Sequence, residues 1–495
     1  MAIPTTVQVP LFYAEVDYSG ASAPTTSGPT LLMGTLLSGG TGSANSPVQV
    51  FSAAEVAGLF GRGSQIHREA IAYFAGDRAA GEVWALALAE ATTAAEGKIT
   101  IAGTATETRT LHLEIGGVVL DIDVTSGDLH TAVAAAVALA LKTHAVEPND
   151  YQVSAVAAAG VLTLTAKYKG ETGNGISVLV NPLGSGARQS TPLGLTVVIE
   201  KMGVTTEGSG DPVLTTAIAA VAGMPFDFIF APWTGIASLA SYKTVMSDVG
   251  GRWDYENQDF GHVWSSRFGG AAELLAVDPN DVHFLFVGAE GVNNASHYDQ
   301  TMPNLPEEVG AAYMARCASS LRIDPALPCQ TLALIDDAAG LIRFRAPNKT
   351  DRMTVTERNS ILGGGVATVS YTNQGGILVE RAKTSYTEDV YGNGVDLDVQ
   401  ALYTSSYVLR RWKAKIETDF GRSKILANTP EEIKGALVAE YAKMEALGIV
   451  TDTDGFAATL SVTVDGTIAQ RINVATTPDY AKQLRVVALA NNFIP

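Results

Sequence analysis

The chain has 495 residues, more than a single hydrophobic core usually supports, so two or three domains are expected. Hydrophobic residues make up 46% of the sequence and charged residues 17%, which excludes a disordered or collagen-like chain. The formal net charge of -18 argues against nucleic acid as a partner.

The acidic charge is unevenly distributed. Residues 351–495 contain 15 basic and 17 acidic side chains, whereas the first 350 residues contain 18 and 34. The C-terminal third is therefore nearly neutral.

The N-terminus has neither the basic region nor the apolar run of a signal peptide. The longest apolar run, residues 132–141, has about half the length that a bilayer requires. The two cysteines, Cys317 and Cys329, have no metal-binding or disulfide spacing. We expect a soluble protein that is made in the cytoplasm and does not insert into membranes.

The first elements alternate between strands and helices. A strand is indicated where apolar residues alternate with polar ones at Val7, Val9, Leu11 and Tyr13. A linker rich in Ser, Thr, Gly and Pro follows at residues 19–30. The patterns then predict strand, helix, helix and strand at residues 31–37, 52–60, 64–74 and 82–88. This order is typical of the start of an α/β domain.

Two hairpins and a helix predict a separate unit in the Thr-, Ala- and Val-rich segment that follows. One hairpin turns at Gly116-Gly117 and the other at Ala159-Gly160. The predicted helix, residues 129–142, lies between them. We interpret the segment as a ββαββ unit inserted between two linkers rich in Gly and Pro.

The segment 206–345 returns to an α/β pattern, with strands predicted at 226–230, 283–287 and 331–335. Thr354 and Glu357 then predict a capping box that opens a short helix. Further strands are predicted at 366–371 and 377–381.

Two helices dominate the C-terminal third. The first is predicted over residues 398–420, with an apolar face formed by Leu402, Leu409, Trp412, Ile416 and Phe420. The second, over 429–448, is predicted to open with a capping box between Thr429 and Glu432. A hairpin at Asp465-Gly466, a polar connection at 475–483 and a last strand at 484–490 are predicted after it.

The sequence lacks the motifs of common enzymes: no GxSxG, HExxH, Walker P-loop or GxGxxG after a strand occurs. Gly61-Arg62-Gly63 is read as a turn between helices, and His283 as a core residue. His297 and Asp299 could supply two metal ligands but have no third nearby, and Asp336-Asp337 is read as a helix cap. We therefore predict no catalytic residue, cofactor or metal.

A strand without a hairpin partner leaves backbone groups that can pair with another chain. Both predicted terminal strands have this property. Docking of each strand on its own sheet is an equally good reading of the sequence alone.

Five stretches together resemble the tail sheath proteins of contractile phages, specifically the Mu-like branch. Two lie near the N-terminus, VPLFYAEVD and LFGRGSQIHREAIAYF. Three lie in the C-terminal third, RAPNKTDRMTVTERNSILGGGVATVSY, GGILVERAKTSY and YVLRRWKAKIETDFGRSKI. The likeness spans most of the chain and is weakest over residues 95–205.

The resemblance implies a multidomain α/β and α+β fold whose core is similar to subtilisin in fold but not in chemistry. The expected α/β sheath core is formed by residues 21–94 and 206–350, with an outward-facing inserted α+β domain at 95–205. A tube-facing α+β domain is expected at 351–474. Arm strands are expected at 1–20 and 475–495.

The resemblance also implies a structural subunit that forms stacked hexameric rings around a tail tube and contracts irreversibly to drive the tube through the host envelope. The partners implied are the chain itself, the tube protein, and baseplate and tail terminator proteins. The location implied is the virion tail sheath, assembled in the host cytoplasm. An α/β hydrolase-like enzyme and a surface-exposed adhesin are the alternatives, but neither a nucleophile motif nor an export signal supports them.

On this reading the two terminal strands are exchanged between subunits, with residues 19–30 and 475–483 as hinges. The exchanged residues would be Val7, Val9, Leu11, Tyr13, Arg485, Val486, Val487, Ala488 and Leu489. The candidate contacts with the tube are Arg410, Arg411, Lys413, Lys415, Lys434 and Lys443. An ordinary solvated helix face explains the first four of these basic residues equally well.

Overall fold

The computed structural model describes residues 28–77, 81–143, 151–290, 302–347, 349, 352–389 and 391–491. The first part of the core follows the predicted order of elements, except that the short strand β2 was not predicted. Its elements are β1 (Thr30–Thr35), β2 (Val48–Gln49), α1 (Ala53–Phe60), α2 (Gln65–Gly76) and β3 (Val83–Leu88). The side chains of Ser52 and Ser64 cap the two helices by accepting backbone N–H groups.

The inserted unit has more strands than predicted. Its elements are β4 (Glu96–Gly103), β5 (Arg109–Ile115), β6 (Val118–Val124), α3 (His130–Thr143), β7 (Val153–Ala158), β8 (Val161–Ala166), β9 (Val178–Val180) and β10 (Leu195–Glu200). Both predicted hairpins are present, but they lie in different sheets. One sheet has the order β10-β4-β8-β7 and the other β6-β5-β9.

The core resumes after the insertion and extends further than the sequence indicated. Its elements are α4 (Leu214–Ala220), β11 (Phe228–Phe230), α5 (Ile236–Met246), β12 (His262–Gly269), α6 (Ala271–Leu275), β13 (Phe284–Glu290), α7 (Pro306–Ile323), α8 (Val355–Gly363), β14 (Ala367–Tyr371) and β15 (Ile377–Arg381). The capping box at Thr354 and Glu357 is confirmed, with the backbone N–H of Thr354 bonded to the Glu357 carboxylate at 2.7 Å. The strand predicted at 331–335 is not formed, although Ala333 makes an isolated bridge to Leu378.

One eight-stranded sheet organises the core, in the order β15-β14-β13-β12-β11-β1-β3-β2. The five pairings from β14 across to β3 are parallel, and the edge strands β15 and β2 are antiparallel to their neighbours. Hydrophobic clusters cover both faces of the sheet, as a largely parallel sheet requires. Because β14 and β15 lie in this sheet, the core continues to residue 381, and the predicted division after residue 350 separates these strands from their own sheet.

The last part of the chain has a hydrophobic core of its own. Its elements are α9 (Val399–Phe420), α10 (Thr429–Ala446), β16 (Val450–Thr451), α11 (Thr453–Thr459), β17 (Ser461–Val464), β18 (Ile472–Ala475) and β19 (Asp479–Tyr480). The predicted capping box at Thr429 is wrong, because Asn428 is the residue before the helix and the Thr429 hydroxyl accepts the Leu426 N–H at 2.8 Å. Among the described helices, none combines the length and apolarity of a membrane span.

Candidate assembly surfaces

The segment that follows β19 is held against its own subunit as far as Arg485. Val450 of β16 pairs with Tyr480 of β19, and the Ala481 N–H donates to the Ile449 carbonyl at 3.1 Å. The predicted hinge at 475–483 is therefore not a free linker, because it contains a strand paired within the same subunit.

Residues 486–491 leave this surface. Val486 is 80% exposed, Val487 76% and Leu489 88%. In the single chain these residues form no strand with another described residue, so their predicted pairing with a neighbouring subunit stays a prediction. A run of exposed aliphatic side chains is typical of a surface that another chain covers.

The N-terminal residues of the predicted exchange, Val7, Val9, Leu11 and Tyr13, lie outside the described residues. The described chain starts at Gly28, whose carbonyl accepts two hydrogen bonds from the Arg322 guanidinium, at 3.0 and 2.7 Å. The point at which the N-terminal segment meets the core is therefore fixed.

The hairpin of β17 and β18 offers open strand edges. The two strands pair from Ser461 with Ala475 to Val464 with Ile472, and within the described residues neither pairs with a further strand. Asp465 organises the connecting loop by accepting the N–H groups of Thr467 and Ile468. Each open edge carries backbone groups that an added strand could pair with.

Two of the six basic residues predicted to contact a tube hold the subunit together. The Arg410 guanidinium donates to both carboxylate oxygens of Asp227, at 2.8 and 2.6 Å, and joins α9 to the core sheet. Arg411 bonds to Glu440 at 2.8 Å and joins α9 to α10. Their charges are consequently directed into the subunit.

Two further candidates have partners on their own helices. Lys415 pairs with Asp419 at 2.7 Å, and Lys443 pairs with Glu440 at 3.1 Å. Lys413 is exposed and Lys434 is half-buried, and neither makes an ion pair with another described residue.

Arg422 and Lys424, in the loop between α9 and α10, were missed by the sequence reasoning. Both are exposed, they stand beside Leu426, which is 61% exposed, and neither forms an ion pair within the described chain. The signal was present, because no acidic residue occurs between Asp419 and Glu431. The loop is therefore a basic and apolar tip on the helical pair.

The residues considered for chemistry have structural roles. The segment Gly61-Arg62-Gly63 is a turn between α1 and α2, with φ of 89° at Gly61 and 77° at Gly63. His283 is buried and stacks on Trp253 with ring centroids 4.3 Å apart, and burial lowers its pKa.

The remaining candidates that the structure describes form no metal site. Asp336 and Asp337 accept backbone N–H groups in a turn and cap no helix. Both cysteines are buried and free, and His297 and Asp299 lie outside the described residues. No group of three or more metal-ligating side chains occurs in the part of the chain that the structure describes.

A buried cluster of charges joins the inserted unit to the core. Arg68 of α2 pairs with Glu308 of α7 at 2.5 Å, and the Tyr168 hydroxyl of the inserted unit donates to Glu307 at 2.7 Å. Burial raises the pKa of Glu307 to about 7, although the Tyr168 hydrogen bond opposes the shift. Burial and the nearby Glu307 also raise the pKa of Glu69.

Solved structures with similar folds include two bacterial sheath tail proteins. The Desulfitobacterium hafniense protein is 10% identical, with a TM-score of 0.48 over 95% of this chain and 99% of that one. The Listeria innocua protein is 12% identical, with a TM-score of 0.47 over 92% of both chains. The helical sheath of the anti-feeding prophage in its contracted state is 9% identical, with a TM-score of 0.46 over 98% of this chain and 99% of that one.

A scan against protein-family models found no match. A curated relative, however, matches from end to end. The Mu-like prophage FluMu tail sheath protein of Haemophilus influenzae is 32% identical over 512 aligned positions, which cover 99% of this chain and 98% of the relative. On this full-length similarity, the chain belongs to the family of Mu-like tail sheath proteins, which are structural proteins and not enzymes.

Proposed function

We propose that this protein is the repeating subunit of a contractile tail sheath. Subunits would form stacked hexameric rings around a tail tube and contract irreversibly to drive the tube through the host envelope. The observation that carries the proposal is the exposed aliphatic run at Val486–Leu489, in a subunit whose other described domains have buried hydrophobic cores.

The subunits would be linked by exchanged strands. Val486–Leu489 and the N-terminal residues Val7–Tyr13 would add to the open edges of β17 and β18 in neighbouring subunits. Backbone hydrogen bonds would form most of this link, so the subunits could rotate as rigid bodies while the strands stay paired. Contraction would then change the packing of the subunits without separating them.

The energy for contraction would be stored in the extended lattice. Alternative packings of one protein differ by about a few kcal/mol. If the contracted lattice is lower by that amount per subunit, many coupled subunits make the change one-way. The baseplate would hold the extended lattice and start its release, and a terminator would cap its other end.

The near-neutral C-terminal third would face the tube, whereas the inserted unit would face outward and the acidic remainder of the chain would face solvent. Since Arg410, Arg411, Lys415 and Lys443 have partners in their own subunit, the remaining tube contacts would be Lys413 and Lys434. The exposed Arg422 and Lys424 extend this surface. The assembled protein would belong to the virion tail, after assembly in the host cytoplasm.

Electron microscopy of sheaths formed by truncated proteins tests the proposal. We expect removal of residues 486–495 or of residues 1–20 to abolish cooperative assembly. A finer test replaces Val487 and Leu489 by aspartate, with Tyr391→Asp as the control, because Tyr391 is a large aromatic side chain that is 86% exposed elsewhere. Normal-length sheaths from both truncated proteins would reject strand exchange.

A further inference from the structure

The root of the C-terminal arm, residues 483–485, is fixed to the subunit at three consecutive positions. The Gln483 side chain accepts a hydrogen bond from Gln400 near the start of α9. The Leu484 carbonyl accepts one from Gln330 at 2.9 Å. Arg485 forms ion pairs with Asp396 and Asp398. Two separate parts of the subunit, residues 396–400 and Gln330, therefore hold three successive residues.

The two aspartates are unequal partners. Arg485 approaches Asp396 at 3.0 Å and Asp398 at 2.9 Å. Both aspartates also pair with Arg381, at 2.7 Å for Asp396 and 2.8 Å for Asp398, but Asp396 is largely exposed whereas Asp398 is buried. An ion pair with a buried carboxylate is screened less by salt than one at the surface. The ion pair of Arg485 with Asp398 is thus less sensitive to salt than its ion pair with Asp396.

Asp398 also occupies the residue before α9, where an aspartate commonly caps the helix. Its carboxylate makes no capping bond to the helix backbone. It is directed to Arg381 at the end of β15 and to Arg485 instead. The arrangement ties the last core strand, the start of α9 and the arm root together through one buried group.

We infer that Arg485 is a positioning residue for the exchanged strand: it latches the arm root to Asp396 and Asp398 and places the pivot of the arm between Arg485 and Val486. This inference rests on the proposed strand exchange. It also changes the role of Arg485, from a residue of the exchanged strand to the anchor from which that strand departs.

Fixing the arm at Arg485 limits where the strand edge that accepts the arm can lie in a neighbouring subunit. Four extended residues span about 13 Å, so the strand edge that pairs with Val486–Leu489 must begin next to Arg485 of the donor and end within about 13 Å of it. A pivot at residue 475 would add ten residues, or about 33 Å of reach. A fixed root also sets the register, with Val487 and Leu489 on one face of the added strand.

Spin labels on the arm test the latch directly. The label is placed at Leu484→Cys, inside the latched root, or at Ala488→Cys, beyond the pivot. Both native cysteines are buried, so the introduced thiol is labelled selectively. In the soluble subunit, below the concentration at which sheaths form, we expect restricted motion at 484 and free motion at 488.

The decisive variant is Arg485→Ala. We expect the detached fraction of the root to rise about tenfold at position 484, the factor typical of losing a charge-assisted bond, with no change at 488. Arg485→Lys keeps the charge without the two-pronged guanidinium, so it should give a smaller increase. Arg471→Ala is the matched control, because Arg471 is an exposed arginine of the same domain that pairs with Asp465 only at 3.9 Å.

Unchanged motion at 484 in Arg485→Ala would overturn the latch, even if truncation of residues 486–495 abolishes sheaths. Conversely, normal sheaths after that truncation would reject strand exchange, while the label would still report whether the root is latched. Electron microscopy adds a second readout: Arg485→Ala should form fewer sheaths than Arg471→Ala at limiting concentration. Equal sheath yields would show that the latch does not position the strand.

Discussion

Arg410 of α9 and Asp227, the residue before β11, meet through two parallel hydrogen bonds, although they lie 183 positions apart in the chain. Asp227 is 2% exposed, and the Arg410 guanidinium also lies 5.6 Å from the centre of the Phe260 ring. This pair fastens the long C-terminal helix to the central sheet. The stacking of Tyr403 on Phe228 is a second contact between the same helix and the sheet.

Replacing Arg410 by alanine should lower the free energy of unfolding by about 3 kcal/mol. The reason is that Asp227 would keep a buried carboxylate without its main partner. Urea unfolding measures the change. Lys413→Ala on the same helix is the control and should stay within about 0.5 kcal/mol, since Lys413 is exposed. Equal losses in the two variants would contradict the structural role of Arg410.

Stability should fall as the pH rises between about 4.5 and 7, and Glu307 should cause part of the fall. Its folded pKa of about 7 lies above its ordinary value, so the folded protein keeps a proton that the unfolded chain releases. The contribution is complete below pH 4.5, is lost through pH 7, and amounts to about 3 kcal/mol.

The variant Glu307→Gln removes this titration while keeping the size of the side chain. We expect its free energy of unfolding, measured in urea at several pH values, to fall less steeply than that of the parent between pH 4.5 and 7. Glu431→Gln, at an exposed position in the first turn of α10, should keep the parental slope. A Glu307→Gln variant with the parental slope would mean that Glu307 is ionised throughout this range.

The local elements were predictable because short-range chemistry determines them. Ala159 and Gly160 have φ of 50° and 84°, which is the turn that a two-residue hairpin requires. The capping box at Thr354 likewise depends on residues three positions apart. Such signals are complete within a few residues of sequence.

The pairings that were missed depend on distant residues. Ile99 of β4 lies opposite Ile199 of β10. Because the two strands are far apart in the sequence, no hairpin turn signals their pairing. The predicted apolar face of α9 also failed in part, because Leu409 is exposed whereas Val408 is buried. The helix packs against two bodies: Tyr403 stacks on Phe228 of the core, and Trp412 packs near Tyr441 of α10. A single amphipathic face cannot describe such a helix.

The candidate surfaces show the same limit. A last strand was predicted at residues 484–490, but nothing local to Arg485 reveals its pairing with Asp396 and Asp398. Similarly, the basic residues of α9 could be counted from the sequence, whereas the acidic partners of Arg410 and Arg411 lie on other elements. Which basic side chains are free of ion pairs depends on the residues that the fold places beside them, and the amino-acid composition does not reveal those neighbours.

The substitution Phe456→Ala should lower the stability of the C-terminal domain more than that of the core. The Phe456 ring stacks on Tyr441 with centroids 3.9 Å apart, and its loss leaves a cavity in a small hydrophobic cluster. We expect a loss of about 3 kcal/mol, measured by hydrogen exchange in α10 and α11. Phe51→Ala is the matched control, because Phe51 is 74% exposed. Equal hydrogen-exchange protection of α10 in the two variants would mean that this cluster does not stabilise the domain.

Reversing the charges of Arg422 and Lys424 should weaken attachment of the sheath to its tube without preventing sheath formation. The two residues form the basic and apolar tip between α9 and α10, and they make no ion pair with a described residue. Charges at the edge of an interface mainly alter association rate and salt dependence, so the loss should be greatest at low salt.

The measurement is cosedimentation of assembled sheaths with isolated tubes. The matched control reverses Lys142 and Arg188, two exposed basic residues of the inserted unit. If the tip contacts the tube, the first double variant releases tubes and the second retains them. Retention in both variants would assign the tube contact to other residues, with Lys413 and Lys434 as the next pair to reverse. Release in both would mean that total charge, and not the tip, governs attachment.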